Sequence, residues 1–188
     1  MKRLFALLMV LCLLCTVSAG LAEVVQADGG IQAFDGFSLN LDDGVVYIKS
    51  EKAKNQVYVQ VYPYYAVNGD DTANFNFVWI GTTGTLTVDD VRGMIPSFKT
   101  SFKDTYAAAG YTLDSIEFAD PYDSSLIGEQ CVVLESQQYV LDPQGAPFDV
   151  FQRQYYFGSN GFIITVTGRT PAALESVNSV LEKVLAWE

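Results

Sequence analysis

The sequence predicts an α+β domain, an antiparallel sheet with helices packed on it. Three observations lead there. Apolar and polar residues alternate through most of the chain, as in Val57-Tyr58-Val59-Gln60-Val61-Tyr62, the period of a strand. Short clusters of Gly, Asp and Asn separate these stretches, which joins neighbours antiparallel. Only two stretches space their apolar residues by three and four, one in mid-chain and one at the C-terminus, the period of a helix.

The chain begins with a targeting segment. Lys2 and Arg3 precede an unbroken apolar run from Leu4 to Leu14, and small residues follow up to Ala22. That is the layout of a secretory signal peptide over residues 1–22, with cleavage expected near Ala19 or Ala22. Neither Cys12 nor Cys15 is preceded by the small residues a lipid-attachment site needs. Residues 23–35 are small and polar and read as a flexible lead-in, so the single domain is expected over residues 36–188, with order starting at Phe37.

Phe37, Leu39 and Leu41 alternate with polar neighbours as a strand, and Asp42-Asp43-Gly44 reads as a tight turn. Val45 to Lys49, Val57 to Tyr64 and Asn74 to Ile80 are the next strands. Thr87 with Asp90 makes a capping-box-like start. The helix that follows aligns Val91, Ile95, Phe98, Phe102, Tyr106 and Ala109 on one side, and Gly110 ends it. Pro96 predicts a kink or a break. Tyr111 to Phe118 is a strand, Pro121 to Ser125 a turn, and Gly128 to Leu141 a long strand. Phe148 to Phe157 and Phe162 to Gly168 form a hairpin. Thr170 and Pro171 start a final helix with Leu174, Val177, Leu181 and Val184 on its buried stripe.

Composition excludes several chemistries. Without the leader, nine basic residues face 22 acidic ones, a formal charge of −13, which repels nucleic acid and anionic lipid. There is no His, so neither a Ser-His-Asp nor a Cys-His triad can be built. Cys131 is the only cysteine after the leader. That excludes an intramolecular disulfide and the common zinc sites. No cofactor and no metal is expected. The alternating oxygens of Asn68, Asp70, Thr72, Asn74 and Asn76 lack the Gly and Glu that a calcium loop requires, so they read as a polar hairpin loop. The paired acids Asp42/Asp43, Asp70/Asp71 and Asp89/Asp90 read as turn and helix-start residues; a carboxylate-dependent hydrolase of cell-wall polysaccharide is the enzymatic alternative.

The aromatics supply the candidate binding residues. Tyr62, Tyr64 and Tyr65 close an alternating strand that also carries Tyr58, and Pro63 marks it as an edge. Such rings suit a protein partner, a carbohydrate or a small ligand. The same row also fits a second core layer beneath a helix.

On element order, from Gly36-Phe37-Ser38-Leu39-Asn40-Leu41 through Ala109-Gly110-Tyr111 to the hairpin of Phe148 to Thr167 and the terminal helix, the chain resembles the PsbP-like α/β-sandwich superfamily, which includes DcrB-like bacterial envelope proteins. The resemblance implies an antiparallel sheet flanked by helices, usually without catalysis, and a role in binding other proteins or stabilising an assembly. It carries over no site residue. The expectation is a secreted or envelope-associated, non-catalytic binding module without a membrane span in the mature chain.

Overall fold

The computed structural model describes residues 22–81, 84 and 86–188. Its strands are β1 (Glu23–Phe34), β2 (Phe37–Lys49), β3 (Gln56–Tyr62), β4 (Asn74–Trp79), β5 (Thr112–Phe118), β6 (Tyr122–Leu126), β7 (Glu129–Leu141), β8 (Pro147–Tyr156), β9 (Phe162–Gly168) and β10 (Leu185–Trp187). Helices are the single turn α1 (Tyr65–Asn68), the long α2 (Val88–Ala108) and α3 (Pro171–Val184). All ten strands join one antiparallel sheet in the order β1-β2-β3-β4-β9-β8-β7-β5. β10 fills the place beside the first residues of β2, and β6 continues the edge of β7 that β5 begins. The leader lies outside the described residues apart from Ala22.

This corrects the expected fold class. Of the described residues 51% are strand and 23% helix, a sheet-dominated fold rather than helices packed on a sheet. The difference comes from segments read as loops that are strands. Residues 23–34, expected as a flexible lead-in, form β1 and pair with β2 along nearly its whole length. Asp35-Gly36 is the actual hairpin turn, with Phe34 directly opposite Phe37. Gly36 sits at φ 100, a conformation that favours glycine. Asp42-Asp43-Gly44 does not break the strand; the register shift between Gln26 and Asp28 absorbs it as a bulge. Tyr122 to Leu126, expected as part of a turn, pairs with β7, and the chain returns through the two-residue loop Ile127-Gly128. β3 is paired on both sides, so it is not the edge that Pro63 predicts.

The helix starts follow from the sequence. Thr87 accepts from the Asp90 amide and Asp90 reaches back to the Thr87 amide, a complete capping box. Pro96 lies within one continuous helix. At its end the Tyr111 amide donates to Tyr106 and the Gly110 amide to Ala107, the paired bonds of a Schellman close. Val91, Phe98, Phe102 and Tyr106 are its buried residues.

The sheet separates two cores. On one face Phe37, Leu39, Val59, Val61, Phe75, Phe77, Phe162, Ile164 and Val166 pack with Leu174, Val177 and Leu181 of α3. On the other face Val78, Val132, Leu134, Tyr156 and Ile163 pack with Val91, Phe98, Phe102 and Tyr106 of α2. Among the described residues no helix is long and apolar enough to cross a membrane.

Candidate functional site

The α2 face of the sheet carries most of the buried polar chemistry. In a strand, residues two apart share a face. Asn74 and Asn76 therefore lie with Val78, Thr165 and Thr167 with Ile163, and Gln152 and Gln154 with Tyr156. Cross-strand register lines them up. One row runs Gln60, Asn76, Thr165, Gln154, and beside it a second runs Asn74, Thr167, Gln152, Ser136. These eight residues and Gln138 are nine of the ten buried polar residues among those described. The tenth, Asn178, sits on α3 and takes the Tyr155 hydroxyl at 2.6 Å.

The rows are joined by hydrogen bonds. Gln60 Nε2 donates to Asn74 Oδ1 at 3.1 Å. Gln138 Nε2 donates to Gln152 Oε1 at 2.9 Å and to Ser136 Oγ at 3.2 Å, and Gln152 Nε2 donates to Thr167 Oγ1 at 3.3 Å. From α2, the Tyr106 hydroxyl donates to Gln138 Oε1 at 2.7 Å. Tyr156 donates to Gln154 at 2.7 Å. Burial pushes the Tyr106 and Tyr156 phenols well above their ordinary value, so both stay protonated donors. The face offers amides and hydroxyls, groups suited to holding a polar ligand.

Arg169 stands at the end of this face. It follows Thr167 by two residues, just past the end of β9, and its guanidinium carbon lies 3.7 Å from the Phe148 ring centroid. Its Nη1 and the Nδ2 of Asn74 are buried donors with no partner among the described residues. Burial pushes the Arg169 guanidinium down from its ordinary value, while Tyr106, Tyr111, Asp71 and Asp70 hold it up. The Asp71 carboxyl is itself pushed up, first by burial.

The sequence-predicted tyrosines do not form one surface. Tyr62 is in the interior at 2% exposure, and Tyr58 packs edge-on to Phe34 and Phe37 in the core of the opposite face. Tyr64 is half-buried and its hydroxyl donates to Ser176 on α3 at 3.1 Å. Only Tyr65, on α1, is exposed, and it meets Tyr62 edge-on. The expected loop of alternating oxygens bonds to itself: Asn68 accepts from the Asp70 amide and Asp70 accepts from the amide and hydroxyl of Thr72. Asp89 and Asp120 hold Arg92, and Asp90 caps α2. Among the described residues no cluster of three or more His, Cys, Asp or Glu is placed to hold a metal.

Two hollows lie along the sheet, and Ser136 and Gln152 of the polar rows line one of them. A cleft of about 610 Å³ runs past Cys131, Asp123, Glu129 and Ser159. There Ser159 donates to Glu129 at 3.0 Å, and burial pushes the Cys131 thiol up to about 11, away from the reactive thiolate. A groove of about 340 Å³ lies over Glu135, Phe151 and Leu174 where β5 gives way to β6.

No protein-family model matches the chain, and no curated protein matches it.

Proposed function

We propose that the protein is a non-catalytic binding module of the cell envelope or extracellular space, and that the two polar rows beneath α2 recognise a small polar ligand. One observation carries this reading. Eight amide and hydroxyl side chains are buried in register across five strands, and one of them, Asn74, keeps an unpaired donor. Burying such groups costs free energy that an apolar face does not incur. A sheet selected for stability alone gains nothing from this composition. The apolar leader supports export, and the absence of His in the sequence supports binding over acyl-transfer chemistry.

A thermal melt of the purified protein tests the reading against separate panels of sugars, amino acids and organic acids. One panel member at saturating concentration should raise the midpoint by several degrees, since a ligand bound only to the folded state stabilises it by mass action. A flat response to every panel overturns the reading. Export is tested by intact mass: the exported protein should lack about 19 or 22 residues, as a cleaved leader requires.

A further inference from the structure

The three arginines among the described residues are not treated alike. Arg153 donates from Nε to Glu135 at 2.7 Å and from Nη2 to Glu175 at 2.7 Å. Arg92 donates to Asp120 at 2.9 Å and also binds Asp89. Each therefore holds two carboxylates. Arg169 is more deeply placed at its guanidinium than an ordinary surface arginine, and among the described residues it holds none. Among the described residues its guanidinium lies over the face of Phe148. Buried charges are as a rule paired, and in a chain with a formal charge of −11 acids are plentiful. Even so, Asp70 and Asp71 act on Arg169 through space without forming an ion pair.

The unpaired donors lie at the same end of β4 and β9. Asn74 begins β4 opposite Thr167, and Arg169 follows Thr167 by two residues, just past the end of β9, where it stacks on Phe148 of the α2-side core. Asn74 is wholly buried and its Oδ1 is already used by Gln60, which leaves Nδ2 to donate. A planar guanidinium held against a ring presents its N–H groups as a fork that fits a carboxylate.

We infer that Arg169 and Asn74 bind the carboxylate of a ligand, Arg169 supplying the charge and Asn74 a second donor, with Phe148 fixing the plane of the guanidinium. This rests on the reading of the polar face as a recognition surface and names the group that anchors there. The carboxylate belongs either to a free small organic acid or to the C-terminus of a short peptide. The missing acid partner of Arg169 is thus the ligand itself.

The test titrates the purified protein with sodium succinate, with triglycine and with triglycine amide, against sodium chloride at equal ionic strength, following the thermal midpoint and the amide NMR spectrum. Binding of succinate or of triglycine, with Arg169 and Asn74 side-chain N–H signals shifted, supports the inference. Succinate alone marks a free acid; triglycine but not its amide marks a peptide terminus. Arg169→Gln should weaken the binding at least tenfold. Asp71→Asn removes a competing negative charge at a partly exposed position and should tighten it on the order of threefold to tenfold. That variant keeps the test decisive if Arg169→Gln does not fold. Equal binding of triglycine and its amide without binding of succinate, or no response to any carboxylate, overturns the inference and leaves the two donors to an ordered water. Binding of uncharged sugars without any carboxylate effect overturns it while leaving the polar face as the recognition surface.

Discussion

The two faces of this sheet are built from the same strands, often from adjacent residues, yet they hold different chemistry. On the α3 face Phe37 stacks on Phe77 at 4.0 Å and meets Phe34, Tyr58, Phe162 and Trp187. On the α2 face Asn74, Asn76, Gln152, Gln154, Thr165 and Thr167 share β4, β8 and β9 with the apolar Val78, Val150, Tyr156 and Ile163. The first face gains by removing apolar surface from water, about 25 cal/mol per Å². The second exchanges bonds to water for bonds within the protein, each worth only about 1 kcal/mol net. The α3 face is apolar throughout its centre, whereas the α2 face sets these polar rows beside a second apolar core shared with α2.

The largest expected effect is Phe37→Ala. It empties a wholly buried site at the centre of five rings and should cost about 3–5 kcal/mol, read from urea denaturation. On the α2 face Gln152→Leu should cost about 1–3 kcal/mol, because Gln138 and Thr167 each lose a bonding partner. Equal losses from the two substitutions would erase the contrast between the faces. A gain from Gln152→Leu would sharpen it, showing that the polar row is held against stability.

Much of this was legible in the sequence, but unevenly. The strands with strict alternation, such as β3 and β4, and both helix starts are local features set by side-chain period and capping residues. β1 and β6 were not legible, because Glu23 to Phe34 and Tyr122 to Leu126 have weak alternation and gain their strand form from partners distant in sequence. The polar rows left a trace that a strand-by-strand reading passes over: Asn74 and Asn76, Ser136 and Gln138, Gln152 and Gln154, Thr165 and Thr167 are all polar pairs two apart. Each pair reads alone as a solvent-facing strand. Only the register between strands shows that they form one buried patch. The tyrosines misled for the opposite reason, since aromatic alternation looks the same in a core as on a binding surface.

Cys131 probes the apolar face through pH. Its thiol lies among apolar neighbours at 6% exposure, and burial pushes it up to about 11 from 9.0. The neutral thiol is the form the fold favours. The unfolded chain thus loses its proton first, and this contribution to stability is full below pH 9 and falls as pH rises towards 11. The stability difference between wild type and Cys131→Ala should be constant up to about pH 9 and shrink above it. Native protein at pH 8 should resist Ellman's reagent until denaturant is added. Rapid native labelling would mean that the 610 Å³ cleft opens onto the sulfur.

The smallest effect is expected at Tyr65, and it carries the comparison to the candidate residues that sequence alone proposed. Tyr62 and Tyr65 touch edge-on, but one is interior and the other is exposed. Tyr62→Ser removes a buried ring and should approach the aromatic-truncation range of about 3 kcal/mol. Tyr65→Ser removes one from the surface and should stay within about 0.5 kcal/mol, as should Lys99→Ala on the outer side of α2. Tyr64 falls between them, because its hydroxyl bond to Ser176 ties the end of β3 to α3. If Tyr65→Ser proves as costly as Tyr62→Ser, α1 is a packed part of the core. If it is neutral in the melt and also leaves binding of the succinate or triglycine ligand unchanged, recognition belongs to the polar face and Tyr65 has no part in it.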